Sequence, residues 1–245
     1  MKINIKNFYC IEALIESNPE IIEFINIPNP KDKKISELAV NAKQAGIKIL
    51  NKSKDFYAAC KEPAVRDIKS ANYEIGKSVL IFDEVQDTRN LGSCLRTASF
   101  FGINSVIIPK NNSADFNNTA VIETSTGGVY DLDLYKVANI SQTINKLKEN
   151  NYWVTGFSEH AKKDINTLVP SEKNVFVFGN EQKGIKQLVL KNCDEVLKIK
   201  QIGQTSSLNI SIAAAKALGL DFNFFSINPS TNISAVLSKA AAYSF

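Results

Sequence analysis

Three stretches of the chain end apolar runs with polar side chains, the arrangement that lets a sheet present chemistry at its edge. The first, DEVQDTRNLGSCLRTASFFG (83–102), leaves a β-type run through a polar loop and enters a helical pattern. It contains Asn90, Gly92 and two of the three arginines of the chain, Arg89 and Arg96; the third is Arg66, and all other members of the 29 Lys plus Arg are lysine. A chain whose default cation is lysine has reason to spend arginine where a planar fork must hold a phosphate in two places at once. With a helix starting near Leu91, Arg96 would leave its second turn, within reach of a phosphate or ribose. The alternative is an ordinary solvent-facing arginine, and on this segment alone the two readings balance.

The second stretch, VFVFGNEQKGI (175–185), is a buried-strand pattern stopping at Gly179 and turning through Asn180 and Glu181 to Gly184. Glycines on both sides of a carboxylate let backbone approach a ligand closely; a turn with a capping glutamate would look the same. The third, IKQIGQTSSLNISIAAAKALG (199–219), passes from a strand end through Gly203, Gln204, Thr205, Ser206 and Ser207 into a helix of small residues. Ser207 could be an N-cap and Asn209 could serve local backbone. That account leaves unexplained why polar and apolar residues alternate in SLNIS. No GxGxxG follows any strand, which argues against a dinucleotide fold or a Rossmann-type methyltransferase.

The elements that would position these residues are an alternation of short apolar runs and amphipathic stretches. VLIFDEV, SVIIP, LDLYKV, YWVTGF, NVFVFG and EVLKIK read as strands, and LGSCLRTASFF, ISQTINKLKEN, IKQLVLKNC and LNISIAAAKALG read as helices. Such βαβ order predicts a parallel sheet covered on both faces, with ligands beyond the carboxyl ends of the strands. Ahead of it lies a compact α/β stretch. FYCIEALIES and ISELAVNAKQAG are predicted helices and EIIEFINI and IKIL strands, while SKDFYAACK is predicted as a helix capped by Ser53 and DIKSANYEI as an edge strand. With Glu74–Ser78 as linker, the expected division is residues 1–76 and 77–245. NPSTN near the C-terminus is expected to be a spacer before a helix from about Ile233.

At 245 residues and 44% hydrophobic content, the chain can bury two unequal cores. No signal-like or 18-residue apolar run occurs, so a soluble cytosolic protein is expected. The four cysteines (Cys10, Cys60, Cys94, Cys193) share no metal or disulfide spacing. A net charge of +4 permits a polyanionic partner without requiring one. The lone His160, in SEHAKK, reads as a solvated loop residue rather than a general base.

Together the three stretches resemble the three motifs of the SpoU family of RNA methyltransferases in the SPOUT superfamily. Asn90, Gly92, Arg96, Thr97, Ala98 and Gly102 match the first; Gly179, Glu181 and Gly184 the second; Ile199, Gly203, Ser207, Leu208 and Asn209 the third. ETSTGG, with Ser125 and Gly127, resembles a further family element, and the likeness runs from about Val79 to Leu220. Thr88 stands where proline is usual, Glu123 where a basic residue is usual, and Lys200-Gln201 where Pro-Met is common. The opening FYCIEALIESNP resembles the substrate domain of bacterial guanosine 2'-O-methyltransferases of 23S ribosomal RNA, a domain similar to an RNA-binding ribosomal protein, with Glu12 in place of a usual histidine.

The resemblance implies an α/β fold with a C-terminal trefoil knot, a homodimer, and S-adenosylmethionine as the cofactor, without metal. Gly179, Ile199 and Leu208 would line that cofactor, and Asn90, Arg96, Glu181, Ser207 and Asn209 would form the reaction centre. It implies RNA as partner, not DNA or membrane, with ribosomal RNA first and transfer RNA as the alternative. A non-catalytic RNA-binding assembly protein is the rival from another class. Loss of Arg96, Asn90 or Asn209 would mark that rival, and all three are present.

Overall fold

The computed structural model describes residues 2–28, 32–204 and 207–225. The NPSTN spacer and the helix expected from Ile233 lie outside the described residues. The chain opens with β1 (Lys2–Ile5), α1 (Phe8–Ser17), β2 (Ile22–Asn26), α2 (Lys33–Gln44), β3 (Lys48–Leu50) and β4 (Tyr57–Lys61). Asn7 starts α1 by accepting a hydrogen bond from Cys10 N at 3.0 Å, and Cys10, Ile11, Leu14 and Ile15 make its buried face. Asp32 caps α2 in the same way. The four strands form one sheet in the order β1-β4-β2-β3, with β4 antiparallel to both neighbours.

The helix expected over SKDFYAACK is therefore the strand β4. Ala58, Ala59 and Cys60 are good or neutral in a helix, but they are buried in the middle of this sheet, where small side chains fit and burial overrides propensity. Ser53 caps nothing. The fully buried Asn26 donates through Nδ2 to Ser53 O, Ser53 Oγ and Asp55 O and accepts from Lys52 N, winding the turn before β4 around itself.

The larger sheet has eight strands, all parallel, in the order β10-β12-β9-β11-β6-β7-β8-β5. They are β5 (Val65–Arg66), β6 (Ser78–Asp83), β7 (Ser105–Pro109), β8 (Asp133–Val137), β9 (Trp153–Phe157), β10 (Lys163–Asp164), β11 (Asn174–Gly179) and β12 (Glu195–Lys198). The six long apolar runs occupy its interior, as expected. The edge strand at the N-terminal side is Val65–Arg66 and not DIKSANYEI: the latter forms turns, with Asn72 and Tyr73 at φ of 48° and 61°, conformations that break an extended run. Its Ile68 and Ile75 still pack onto the sheet.

The helices α3 (Thr88–Phe100), α4 (Thr119–Thr124), α5 (Ile140–Glu149) and α6 (Gln187–Asn192) connect these strands, and α7 (Ile210–Phe225) follows the last of them. Strand alternation sends Leu80, Phe82, Phe176 and Phe178 to one face and Val79, Ile81, Val175 and Val177 to the other. The first of these two cores continues into the small sheet through Ile5, Cys10, Leu14 and Cys60. Glu123, where the family resemblance leads one to expect a cation, fastens this junction: its Oε1 accepts from Lys6 N at 2.7 Å and Asn7 N at 3.0 Å, just ahead of α1. Gly127, at φ 82°, must lack a side chain, because a Cβ there would lie 2.5 Å from Leu14 Cδ2. Among the described residues no helix is long and apolar enough to cross a membrane.

Candidate active site

The three chemically marked stretches meet at the carboxyl edge of the large sheet. Asp87 caps α3 by accepting from Asn90 N at 2.8 Å, which starts the helix at Thr88, three residues before the expected Leu91. Asn90 is thereby held in the first turn. Its Nδ2 donates to Glu181 Oε1 at 2.9 Å, and its Oδ1 accepts from Asn209 Nδ2 at 2.9 Å. Asn209 Oδ1 in turn accepts from Ser211 N and Ser211 Oγ. A single chain of hydrogen bonds thus joins residues 91 and 119 positions away from Asn90, and it fixes which end of each amide points where.

Gly92 is buried inside α3 and not at the loop junction that its position suggested. A Cβ there would come within 2.6 Å of Thr124 Cβ and 2.8 Å of Val121 O, so this glycine lets α3 and α4 cross at close range. Arg96 consequently leaves the third turn of α3. Six residues from Asn90, it lies about 9 Å further along the axis and about 120° around it. Arg96 and Arg89 are exposed, and neither makes an ion pair or hydrogen bond among the described residues, whereas Arg66 pairs with Asp133 at 2.7 Å. The fold brings Asn90, Glu181 and Asn209 together. It does not bring Arg96 into bonding contact with them.

The loop carrying Glu181 is built from its own backbone. Asn180 and Gly184 exchange backbone hydrogen bonds at 3.2 and 2.8 Å, and Asn180 Oδ1 accepts from Gln182 N and Lys183 N. Gly179 is required by this turn: a Cβ there would lie 2.1 Å from Gly184 C and 2.2 Å from Ile185 N. Ile199 follows β12 and packs on the first core, while Ser207, Leu208 and Asn209 are exposed just before α7. That helix begins at Ile210, later than LNIS suggested. Ile202, in the same loop, is 94% exposed and Leu208 49%.

Four further residues belong to this edge, Asp83, Glu84, Asn112 and Lys186, and none of them stands out in the sequence. Glu84 follows β6 with φ of 61°, a left-handed backbone that costs a non-glycine residue about 1–3 kcal/mol unless its surroundings impose it. Those surroundings are Lys186 Nζ and Asn112 Nδ2, which donate to Glu84 Oε1 at 2.8 and 3.0 Å, and Asn180 Nδ2, which donates to Glu84 O at 3.0 Å. These side-chain hydrogen bonds, from Lys186 first, hold the Glu84 carboxyl below its ordinary pKa. The neighbouring Asp83 is buried and accepts from Lys186 N at 2.9 Å; burial pushes its pKa up, and this N–H partly offsets the rise. Asp83, Glu84 and Lys186 thus latch the β11 loop to β6.

The four cysteines are free, and burial pushes Cys10, Cys60 and Cys193 up to about 12 and Cys94 higher still. Among the described residues no group of three His, Cys, Asp or Glu could hold a metal ion. His160 is an exposed loop residue beside Glu159, three residues past β9, which lies two strands from β6 in the sheet.

The model of the SpoU rRNA methylase family matches residues 77–219. A Staphylococcus aureus protein named as a TrmH-family tRNA/rRNA methyltransferase is 34% identical over 222 residues, covering 83% of this chain and 88% of its own. Among solved structures, the SpoU methyltransferase AviRb of Streptomyces viridochromogenes with AdoMet bound superposes with a TM-score of 0.73 at 19% identity, over 91% of this chain and 90% of that one. A protein described as an RNA 2'-O ribose methyltransferase gives 0.70 at 19% identity, over 91% and 89%. The match over more than half its length, together with the Staphylococcus relative, shows that the chain belongs to the SpoU rRNA methylase family.

Proposed function

We propose that the chain transfers a methyl group from S-adenosylmethionine to a ribose 2'-hydroxyl in RNA. The observation that carries this reading is the Glu181–Asn90–Asn209 chain, which unites one residue of each motif at the carboxyl edge of a parallel sheet. The residues present fit the cofactor. Leu208 and Ile202 offer exposed apolar surface, Ile199 packs on the core where the same loop begins, and the turn that Gly179 permits ends at the same edge. When bound, S-adenosylmethionine supplies an electrophilic methyl group on a sulfonium whose departure leaves a neutral thioether.

The chain's own residues then have two tasks, to aim the hydroxyl and to stabilise the charge that develops on its oxygen. Glu181 Oε1 is engaged by Asn90, and its other oxygen has no partner among the described residues, which suits it to accept the ribose hydroxyl. Asn209 is tied to the same Asn90, and Ser207 stands exposed two residues before it. Arg96 acts as a cation that holds the neighbouring phosphate and stabilises the developing alkoxide. A guanidinium pKa above about 12 makes a neutral arginine base costly, so as the methyl leaves the sulfur the hydroxyl proton passes to the free Glu181 oxygen that accepts it, and from there to solvent.

The substrate in this reading is a guanosine of 23S ribosomal RNA, supported by a small separate sheet ahead of the catalytic one; transfer RNA is the alternative. Residues 1–76 recruit RNA, with Val65–Arg66 of that stretch completing the catalytic sheet as its edge strand, residues 77–245 carry a trefoil-knotted catalytic domain, and the enzyme works as a homodimer in the cytosol without metal. Two measurements test this. Titration calorimetry in chelator should show saturable S-adenosylmethionine binding, and ribose-methylation maps of ribosomal and transfer RNA with and without the gene should differ at one site. No binding by a folded sample, with identical maps, overturns the proposal.

A further inference from the structure

A groove of about 1000 Å³ opens on the other side of the sheet from α3, between the turns at 67–73 and α5. It lies outside both the reaction centre and the small sheet. Five cations line it, Arg66, Lys69, Lys110, Lys136 and Lys146, against two carboxylates, Asp67 and Glu149. Three of the cations are engaged: Arg66 with Asp133, Lys136 with Asp115 and Lys146 with Glu149. Lys69 and Lys110 are exposed and make no ion pair among the described residues, so their charge is available to an anion. Between the cations stands Tyr73, half-buried, at φ 61° immediately after Asn72 at φ 48°. A bulky residue in that conformation is rare and persists where the fold needs its side chain in one place.

Basic side chains around a fixed aromatic ring, with the Asn139 and Gln142 amides at the wall, are the chemistry that holds an unpaired nucleic-acid strand. Lysines take phosphates and the ring stacks a base. Position supports the same ligand. Lys110 directly follows β7, the neighbour of β6, and Lys136 is the penultimate residue of β8, the next strand over. At about 4.8 Å between strands, the mouth of the groove sits roughly 5–10 Å along the carboxyl edge from the end of β6, the strand from which residues 84–87 lead into α3 and Asn90. An RNA strand leaving the reaction centre along this edge runs toward these lysines. We infer that the groove between residues 65–73 and α5 binds a single-stranded segment of RNA flanking the target ribose, with Lys69 and Lys110 on phosphates and Tyr73 stacked on a base. The inference rests on the reading of the chain as an RNA-modifying enzyme.

The test is fluorescence anisotropy of a labelled oligouridylate with the full-length protein across a salt series. Lys69→Glu with Lys110→Glu should weaken binding at least tenfold and lower the slope of log affinity against log salt by about 1.4, two contacts at about 0.7 each. Tyr73→Ala should weaken it by about five- to a hundredfold with little change in that slope, while Tyr73→Phe retains wild-type affinity. Thermal midpoints of the lysine variant, whose changes are at exposed sites, should equal wild type. Affinity and salt slope unchanged in the lysine variant overturn the inference, as does tighter binding of a polyglutamate-competed or duplex DNA probe than of the single strand. Calorimetry with S-adenosylmethionine on the wild type separates the two levels: cofactor binding without the groove effects removes only the groove. Groove effects without cofactor binding remove the enzymatic reading and keep this surface as an RNA site.

Discussion

The loops that follow β11 and β12 reach the same edge of the sheet but are made in opposite ways. Residues 180–184 close on themselves through the Asn180–Gly184 backbone pair, and Glu84 and Lys186 clamp the loop to β6. In the second loop, Lys200–Gln204 and Ser207–Asn209 are exposed, with Ile202 almost wholly in solvent and the Asn209–Asn90 hydrogen bond as the tie to α3. Ordering a loop costs about 1–2 kcal/mol per fixed residue. A preformed loop has met that cost in folding, whereas an open one meets it on binding. The first loop therefore sets geometry and the second sets affinity. Arg96 adds a third condition, an exposed cation with no ion pair among the described residues.

The largest effect is expected at Arg96. If orientation comes from the preformed side and charge from this guanidinium, Arg96→Lys should keep the fold and lose about a hundred- to a thousandfold in single-turnover methylation, or roughly 3–4 kcal/mol. A solvated surface arginine would lose less than about 0.5 kcal/mol. Cofactor affinity, measured in parallel, should stay at the wild-type value. A rate within about threefold of wild type would sink the role assigned to Arg96 and leave the hydrogen-bonded amides without a charge to work beside.

A matched pair of glycines tests the loop comparison directly. Gly179→Ala forces a Cβ into the Gly184–Ile185 backbone and should destabilise the protein by about 1–3 kcal/mol, with cofactor binding lost as the turn opens. Gly203→Ala meets nothing within 4 Å, so its effect on stability should stay under about 0.5 kcal/mol. By stiffening an open loop, it should leave cofactor affinity equal or slightly higher. Urea unfolding and calorimetry on both variants decide it, and equal destabilisation by the two would erase the distinction between the loops.

The same contrast governs what could be read from the chain. The parallel sheet was legible because its six inner strands are buried on both faces and therefore nearly continuous in apolar residues. The small sheet was less so. Its central strand β4 is built on Ala58, Ala59 and Cys60, whose small side chains suit a crowded centre and carry no period, and DIKSANYEI alternates in sequence but turns in space at Asn72 and Tyr73. At the candidate site, Asn90, Glu181 and Asn209 could be picked out one by one, but their mutual hydrogen bonds span 91 and 119 residues and belong to topology. Glu84 was beyond reach, since its importance lies in a backbone angle and in partners 28 and 102 positions away.

Asn90→Ala sharpens the comparison at the point where the two loops are tied together. Removing the amide leaves Glu181 and Asn209 facing solvent, so the loss of stability should be modest, about 0.5–1.5 kcal/mol. The kinetic loss should exceed it, because both loops lose their common reference. Methylation falling only in proportion to the folded fraction, measured by activity against urea midpoint, would make Asn90 a purely structural link.

The smallest effect is expected at the latch. Lys186→Met keeps the apolar stem and the backbone N–H that reaches Asp83 but removes the ion pair with Glu84. The pair is partly exposed, with 56% of the Lys186 side chain and 17% of the Glu84 side chain accessible, so screening limits it to about 0.2–1 kcal/mol. The sign of its pH dependence follows from the shifts. Glu84 is lowered from 4.5, so its contribution is present above that value and is lost as pH falls through the lower folded-state pKa. Lys186 is raised from 10.5, so its contribution holds below that value and is lost as pH rises through the higher one. Asp83 works in the other direction: its raised pKa makes the folded state bind a proton first, which favours folding as the solution is acidified. Asp83 also feels the Lys186 ammonium, which lowers its pKa, so in Lys186→Met that pKa rises further and the difference between the two proteins carries Asp83 as well as the latch. That difference, from urea unfolding, should be flat between about pH 5 and 10, close towards zero well below 4.5, and shrink with added salt as a screened pair must. A difference that ignored both acid and salt would assign the role of Lys186 to the packing of its stem, and the β11 loop would then owe its shape to Asn180 and Gly179 alone.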